Sequence, residues 1–86
     1  MKNQLTQNIV NDEFDTVFVY KINSICKYIE LSGFDPYSQL TGYLQTNDAR
    51  YITRTGNARD TIRSLDRDKL LAYVNKYLKP KYKNGG

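Results

Sequence analysis

Residues that end one helix and begin another stand side by side between positions 33 and 36, at Gly33, Asp35 and Pro36. Glycine readily takes the left-handed conformation that ends a helix. Aspartate accepts hydrogen bonds from the free N–H groups of a new helix, and proline suits its first turn. A chain interrupted in this way cannot run as one long helix. The sequence therefore predicts an all-α fold, a small single-domain bundle of four to five helices.

Apolar residues on both sides of this interruption recur at helical spacing. Upstream, either Asp12 or Asp15 is predicted to begin the first helix. The apolar positions of this helix are Phe14, Val17, Phe18, Ile22, Ile25, Tyr28 and Ile29. Those of the second helix are Leu40, Tyr43 and Leu44. Gly42 lies among them, and we expect it to allow a close contact with the helix backbone.

Two more apolar stripes follow a connecting loop over residues 47–56, in which Tyr51 and Ile52 are expected to hold the chain against the core. A third helix, capped by Asn57, is predicted to bury Ala58, Ile62 and Leu65. A last helix, ended by Pro80, is predicted to bury Leu70, Leu71, Val74, Tyr77 and Leu78. On one straight helix the two stripes would lie roughly 150° apart, at ~100° per residue. A break is therefore predicted near Asp66, which would cap the last helix.

Length and composition indicate a flexible N-terminal arm over residues 1–11, a helical domain over 12–79 and a basic flexible tail over 80–86. A core of this size supplies only modest stability, so a homodimer is expected. Phe18, Tyr43 and Tyr51 are the candidates for core or dimer packing. Cys26 is the only cysteine, which excludes an internal disulfide. No signal peptide or long apolar run is seen, so we expect a cytoplasmic protein.

The residue types that carry most enzyme chemistry are missing from this sequence. It contains no histidine, which removes histidine-based acid–base catalysis and most zinc sites. It has no phosphate-binding glycine loop and no dinucleotide fingerprint. We therefore expect no enzymatic activity, no metal, no cofactor and no small-molecule substrate.

Arginines recur every fourth residue at Arg59, Arg63 and Arg67, with Arg54 shortly before them. On a continuous helix the three would drift across only about 80° of one face. Guanidinium groups there would suit a carboxylate or a phosphate, which makes these four arginines a candidate partner-binding surface. The alternative is that Arg59 and Arg63 form ordinary solvated ion pairs of small net worth with Asp60, Asp66 or Asp68.

Four short motifs, separated from one another by two or three residues, extend from Gly33 to Asp68. They read GFDP, QLTGYL, DARYITR and NARDTIRSLDRD. They resemble the patterns GYNP, QIVGYL, GDPAYIPR and DARxxIRxLxRD of the IreB family, also known through its ReoM members. These are small bacterial regulators linked to cell-envelope signalling in low-GC Gram-positive organisms. A weaker likeness extends from about Phe14 to Leu78.

The resemblance implies a non-enzymatic, helical, homodimeric substrate of a transmembrane Ser/Thr kinase with extracellular peptidoglycan-sensing PASTA repeats. In such proteins a threonine of the N-terminal arm is phosphorylated, which tunes peptidoglycan synthesis and tolerance of cell-wall antibiotics. In some members the route resembles control of proteolysis of the enzyme that commits precursors to the wall. Thr6 is the only threonine of the arm here and inherits the acceptor role. A matching phosphatase and a downstream regulatory protein are the other implied partners.

Other interpretations remain open from the sequence. Thr53 and Thr55, in the loop before the third helix and near Arg54, are competing acceptors. Net positive charge and short helices are also typical of a small helix-turn-helix DNA-binding regulator, although Asp60 and Asp66 beside the arginines oppose contact with a phosphate backbone. A purely structural dimerisation module is a third possibility.

Overall fold

The computed structural model describes residues 14–83, and no strand occurs among them. Its helices are α1 (Thr16–Leu31), α2 (Pro36–Thr46), α3 (Ala58–Arg63) and α4 (Arg67–Tyr73). A short 3₁₀ turn (Ala49–Tyr51) lies between α2 and α3, and α4 continues directly into a π-helical segment (Val74–Lys83). The predicted all-α fold is confirmed for the described residues. The predicted arm, with Thr6 and Asp12, and the last three residues lie outside them.

Helix α1 begins and ends through hydrogen bonds that the sequence predicts. Asp15 is its N-cap and accepts a hydrogen bond from the Phe18 N–H at 2.8 Å. At the other end Gly33 has φ +87°, and the Phe34 N–H donates to the Ile29 carbonyl at 3.1 Å. This is the hydrogen-bonding pattern of a Schellman motif, in which glycine relieves the strain of a positive φ.

Helix α2 also has its predicted start, because Asp35 accepts a hydrogen bond from the Ser38 N–H at 3.1 Å. It ends at Asn47, which has φ +59°. The close contact expected at Gly42 is made by the Tyr51 ring: an ideal Cβ on Gly42 would lie only 2.9 Å from Tyr51 Cδ1. The 3₁₀ turn is therefore packed directly on the α2 backbone.

The break between α3 and α4 lies where the two apolar stripes predict it. Asp66 is the N-cap of α4 and accepts a hydrogen bond from the Lys69 N–H at 2.9 Å. The predicted cap at Asn57 is wrong in its chemistry, because its side chain makes no capping hydrogen bond. The ψ of Asn57 is 26°, whereas Asp15 and Asp35 have the extended conformation that capping side chains require.

The prediction that Pro80 ends the last helix is wrong, because Pro80 lies inside the π-helical segment. Residues 80–83 of the predicted tail are thus helical. A proline ring fixes φ near the helical value and removes only one N–H donor, so neighbouring contacts can hold the segment together. One such contact is the hydrogen bond that Tyr82 Oη donates to Glu30 Oε2 on α1, at 2.5 Å.

The core is formed mainly by α1 and α2, with further side chains from α3, α4 and the π-helical segment, and it includes an aromatic cluster. The Phe14 and Phe18 rings stack at 5.4 Å, and Tyr73 meets both rings edge-on. The fully buried apolar side chains include Ile22, Ile25, Ile29, Leu40, Ile52, Ile62, Leu70 and Val74. Three positions predicted to be buried are instead exposed: Val17, Leu71 and Tyr77. For Tyr77 a physical reason is visible, since π-helical winding changes which positions face inward.

Helix packing brings the end of α1 close to the segment between α2 and α3. Helix α1 packs against α2 and α3, and the π-helical segment packs against α2. The 3₁₀ turn contacts both α2 and α3. Of the helices within residues 14–83, none combines the length and the apolar character that a bilayer crossing requires.

Candidate functional site

The four candidate arginines do not form one continuous face. Helix α3 ends at Arg63 and α4 begins at Arg67, so the helix break separates the last member of the series from the others. Arg54 lies before α3, in the segment that follows the 3₁₀ turn. Each guanidinium therefore has its own surroundings.

Arg59 is half-buried and directed inward. Its Nε donates to the Ile52 carbonyl at 2.8 Å, and its Nη2 donates to the Arg50 carbonyl at 3.3 Å. Both acceptors belong to the 3₁₀ turn and the residue after it, where the backbone has few partners of its own. Arg59 therefore ties this turn to α3.

Arg67 connects the start of α4 to the last turn of α2. Its Nη2 donates to the Leu44 carbonyl in the last turn of α2. The last carbonyls of a helix lack partners within it and carry a partial negative charge, so a cation is favourable there. Arg67 thus stabilises the end of α2 from the start of α4.

Arg63 is the arginine for which the ion-pair alternative is realised. Its Nη1 lies 3.2 Å from Asp60 Oδ1 on the same helix, and both side chains are largely exposed. Such pairs contribute little to stability. Helix α3 is only six residues long and presents this acid beside its arginine, and nothing in the structure favours the DNA-binding alternative.

Arg54 lies at a surface groove between the end of α1, the start of α2 and the 3₁₀ turn. We call it the arginine groove; the lining residues that matter here are Phe34, Arg50, Tyr51, Arg54, Thr55 and Arg59. Within residues 14–83, the Arg54 guanidinium makes no hydrogen bond or ion pair. The groove thus brings together two of the predicted arginines, Arg54 and Arg59, with Arg50, and it excludes Arg63 and Arg67.

Arg50 is fixed at the groove by Asp48. The Arg50 Nη2 lies 2.8 Å from Asp48 Oδ2, and its Nε donates to both carboxylate oxygens at 3.1 Å. Asp48 also accepts a hydrogen bond from the Arg50 N–H at 2.9 Å. These hydrogen bonds lower the pKa of the Asp48 carboxyl to about 2. The Arg50 guanidinium makes the largest contribution to this shift, and the Arg50 N–H makes the next largest. The pair therefore remains ionised until the pH falls below the ordinary range for carboxyl groups.

Hydroxyl groups form a connected cluster beside these arginines. Ser32 Oγ donates to the Tyr28 carbonyl at 2.9 Å and lies 2.6 Å from Thr53 Oγ1 and 2.7 Å from Thr55 Oγ1. The Thr53 N–H donates to Gln39 Oε1 at 2.8 Å. The cluster joins the end of α1, helix α2 and the chain after the 3₁₀ turn, so this side of the groove is held by three parts of the fold.

The aromatic candidates for dimer contact divide between interior and surface. Phe18 and Tyr43 are only 5% and 8% exposed and belong to the core of one chain. Tyr51 is 51% exposed and forms one side of the arginine groove. Burial of Phe18 and Tyr43 leaves little of either ring for a second molecule.

Within the described residues, no group of three or more acidic, cysteine or histidine side chains could hold a metal ion. Cys26 is half-buried, and burial raises the pKa of its thiol to about 11. At neutral pH this thiol is protonated and a poor nucleophile.

The family model described as IreB regulatory phosphoprotein matches residues 4–79. The chain belongs to the IreB family. A UPF0297 protein of Ruminiclostridium cellulolyticum is 36% identical over 61 residues, which cover 71% of this chain and 69% of the relative. The resemblance predicted from the motifs is thereby confirmed, and with it a regulatory role as the family's description gives it.

Two contributors to the site of this IreB-family chain are missed by reasoning from the sequence. Arg50 stands outside the fourfold arginine spacing, and only its position two residues after Asp48 hints at a fixed ion pair. Ser32 stands next to the helix-ending Gly33 and would be taken for an ordinary helix-end residue. Both become visible only when α1 and the 3₁₀ turn are brought together.

Proposed function

We propose that this IreB-family chain is a non-enzymatic regulatory phosphoprotein of the cytoplasm. A membrane Ser/Thr kinase phosphorylates Thr6 and a matching phosphatase reverses the reaction. The phosphorylation state tunes peptidoglycan synthesis through a downstream regulatory protein, by way of proteolysis of the enzyme that commits precursors to the wall. The observation that carries the proposal is the match to a regulatory phosphoprotein family over residues 4–79, which include Thr6.

The surroundings of the competing threonines support Thr6 as the acceptor. Thr53 is buried, and its hydroxyl is engaged with Ser32 and Thr55. Thr55 Oγ1 lies 2.7 Å from Ser32 Oγ. Transfer of a phosphoryl group to either residue would require the hydroxyl cluster to open, which disfavours Thr53 and Thr55 as acceptors.

Phosphorylation would change the charge of the N-terminal segment substantially. A phosphothreonine adds about −1.5 to −2 charges and three strong acceptor oxygens. Thr6 stands eight residues before Phe14, a span of roughly 27 Å when fully extended. Helix α1 is itself ~24 Å long over its 16 residues. The phosphate is therefore best placed to act near the start of α1, where Lys21 and Lys69 line a shallow groove together with Asp15 and Asp66, or directly on a partner.

The experiment that tests this function uses the cytoplasmic domain of the host's peptidoglycan-sensing kinase. The wild-type chain, Thr6→Ala and the control Thr55→Ala are incubated with the kinase and magnesium ATP, followed by intact-mass measurement and site mapping. We expect one phosphate on the wild type and on Thr55→Ala, and none on Thr6→Ala. A phosphate that persists in Thr6→Ala, or no phosphate on any chain, would contradict the proposed switch.

A further inference from the structure

Two aromatic side chains stand at the arginine groove with much of their surface in contact with water. Phe34 is 59% exposed and Tyr51 is 51% exposed, and Arg50 and Arg54 line the same groove. Aromatic and arginine side chains dominate the energetics of protein interfaces, because they combine large apolar area with directional hydrogen bonds. We propose that the arginine groove binds an extended acidic segment of a partner protein. A glutamate or aspartate carboxylate of that segment contacts Arg54, and its apolar side chains contact Phe34 and Tyr51.

The charges at the groove favour an anionic ligand. Arg50, Arg54 and Arg59 line it, and Asp48 offsets one of these positive charges through its ion pair with Arg50. Arg59 and Arg50 have donors committed to backbone carbonyls and to Asp48 respectively. Arg54 has no such commitment within residues 14–83. Its planar fork of donors matches the two oxygens of a carboxylate.

The groove is preorganised, which lowers the entropic cost of binding. Arg59 fixes the backbone at Ile52, and Thr53 is held by Ser32 and by Gln39. The Tyr51 ring rests on Gly42. A partner segment therefore meets a surface whose main parts are already held, so less of its binding energy is lost in ordering the groove.

Geometry points to another molecule as the occupant. The groove includes Ser32 at the far end of α1, about 24 Å from the start of that helix, so Thr6 could reach it only with the intervening chain almost fully stretched. The acids Asp12 and Glu13 directly precede Phe14 and cannot reach that far. A nucleic acid would need a row of free cations along its backbone, whereas Arg50 and Arg59 already have internal partners.

This inference rests on the proposed function in one respect, that the chain acts through a protein partner. It is tested on the full unphosphorylated chain by fluorescence anisotropy. The probe is a short fluorescein-labelled peptide with two adjacent glutamates between a leucine and a phenylalanine. We expect Arg54→Ala to weaken binding about tenfold and Phe34→Ala about fivefold. The charge-matched control Lys69→Ala, which removes a cation from a different groove, is expected to change the affinity less than twofold.

Three further probes show whether the ligand has the proposed chemistry. We expect the same peptide with glutamines in place of glutamates to bind at least tenfold more weakly. Equal affinity for the two peptides, or equal loss in Arg54→Ala and Lys69→Ala, would overturn the proposal. Tighter binding of a phosphothreonine peptide or of an oligothymidylate would also overturn it. Because no kinase is used, failure here leaves the Thr6 assay unaffected, and failure of that assay does not alter the peptide result.

Discussion

The four candidate arginines have different roles because their guanidinium groups contact different acceptors. Arg59 meets the carbonyls of the 3₁₀ turn, Arg67 meets the end of α2, and Arg63 meets Asp60 in solvent. Arg54 meets no described partner and lies at the groove. The chemistry of the guanidinium is the same in each case, so what each residue contributes depends on the burial and the availability of its acceptors.

Removing Arg59 should therefore destabilise the chain far more than removing Arg63. We expect Arg59→Ala to lower the free energy of unfolding by about 1.5–3 kcal/mol, because two backbone carbonyls lose a charged donor. Arg63→Ala should change it by less than about 0.5 kcal/mol, because its ion pair is exposed. Urea unfolding followed by circular dichroism measures both changes. Equal losses in the two variants would show that Arg59 is not the internal tie that its contacts indicate.

At the scale of the helices, several helix ends are each fixed by the hydrogen bonds or the backbone conformation of a single residue. Asp15, Asp35 and Asp66 each accept a hydrogen bond from an N–H three residues later. Gly33 provides the positive φ that ends α1. These contacts are local in the chain, and together they fix where three helices begin and where α1 ends.

Gly33 offers a direct test of such an end. An alanine there meets no steric obstacle, since nothing lies within 4 Å of its Cβ, so any cost comes from the φ of +87°. We expect Gly33→Ala to lower the free energy of unfolding by about 1 kcal/mol. Gly33→Asn should cost less, since asparagine tolerates the left-handed region better. If thermal or urea unfolding shows equal stability for the alanine variant and the wild type, the conformation assigned to this helix end is wrong.

Local features explain which parts of the fold could be predicted from the sequence. The three aspartate caps, Gly33 and the break near Asp66 were predicted because each depends on residues within a few positions. The continuation through Pro80 was missed because it involves a contact between Tyr82 and Glu30, far apart in the sequence. For the same reason the arginine groove itself was not predicted: Arg54 and Arg59 were among the four candidate arginines, but Ser32 and Phe34 join them only through tertiary packing.

At the scale of the whole molecule, residues 14–83 present large apolar side chains at their surface. Val17 and Tyr20 are 62% and 72% exposed and stand three residues apart on α1, so they share one face of the helix. Phe18 and Tyr43 are buried instead, which makes them contributors to the core. We propose that the homodimer expected from the chain length uses the Val17 and Tyr20 face of α1.

Sedimentation equilibrium at micromolar concentration tests this dimer. We expect a dimer for the wild type and a shift to monomer for Tyr20→Arg, because a charge would be buried in an apolar contact. Leu71→Arg is the control, since it places the same charge at an exposed apolar position of α4. A monomeric wild type would remove the proposed dimer. Equal dissociation in the two variants would place the contact elsewhere.

Because Gly42 and Tyr51 are in contact, the residue at each of these two positions, nine apart in the sequence, limits which residues the other can accept. Alanine at position 42 would favour the helix by up to about 1 kcal/mol, yet its Cβ would lie 2.9 Å from the Tyr51 ring. That helix stability would be gained only if the Tyr51 ring moved or were replaced by a smaller side chain, and either change would alter one side of the groove. Glycine at one position and tyrosine at the other are thus expected to be inherited together.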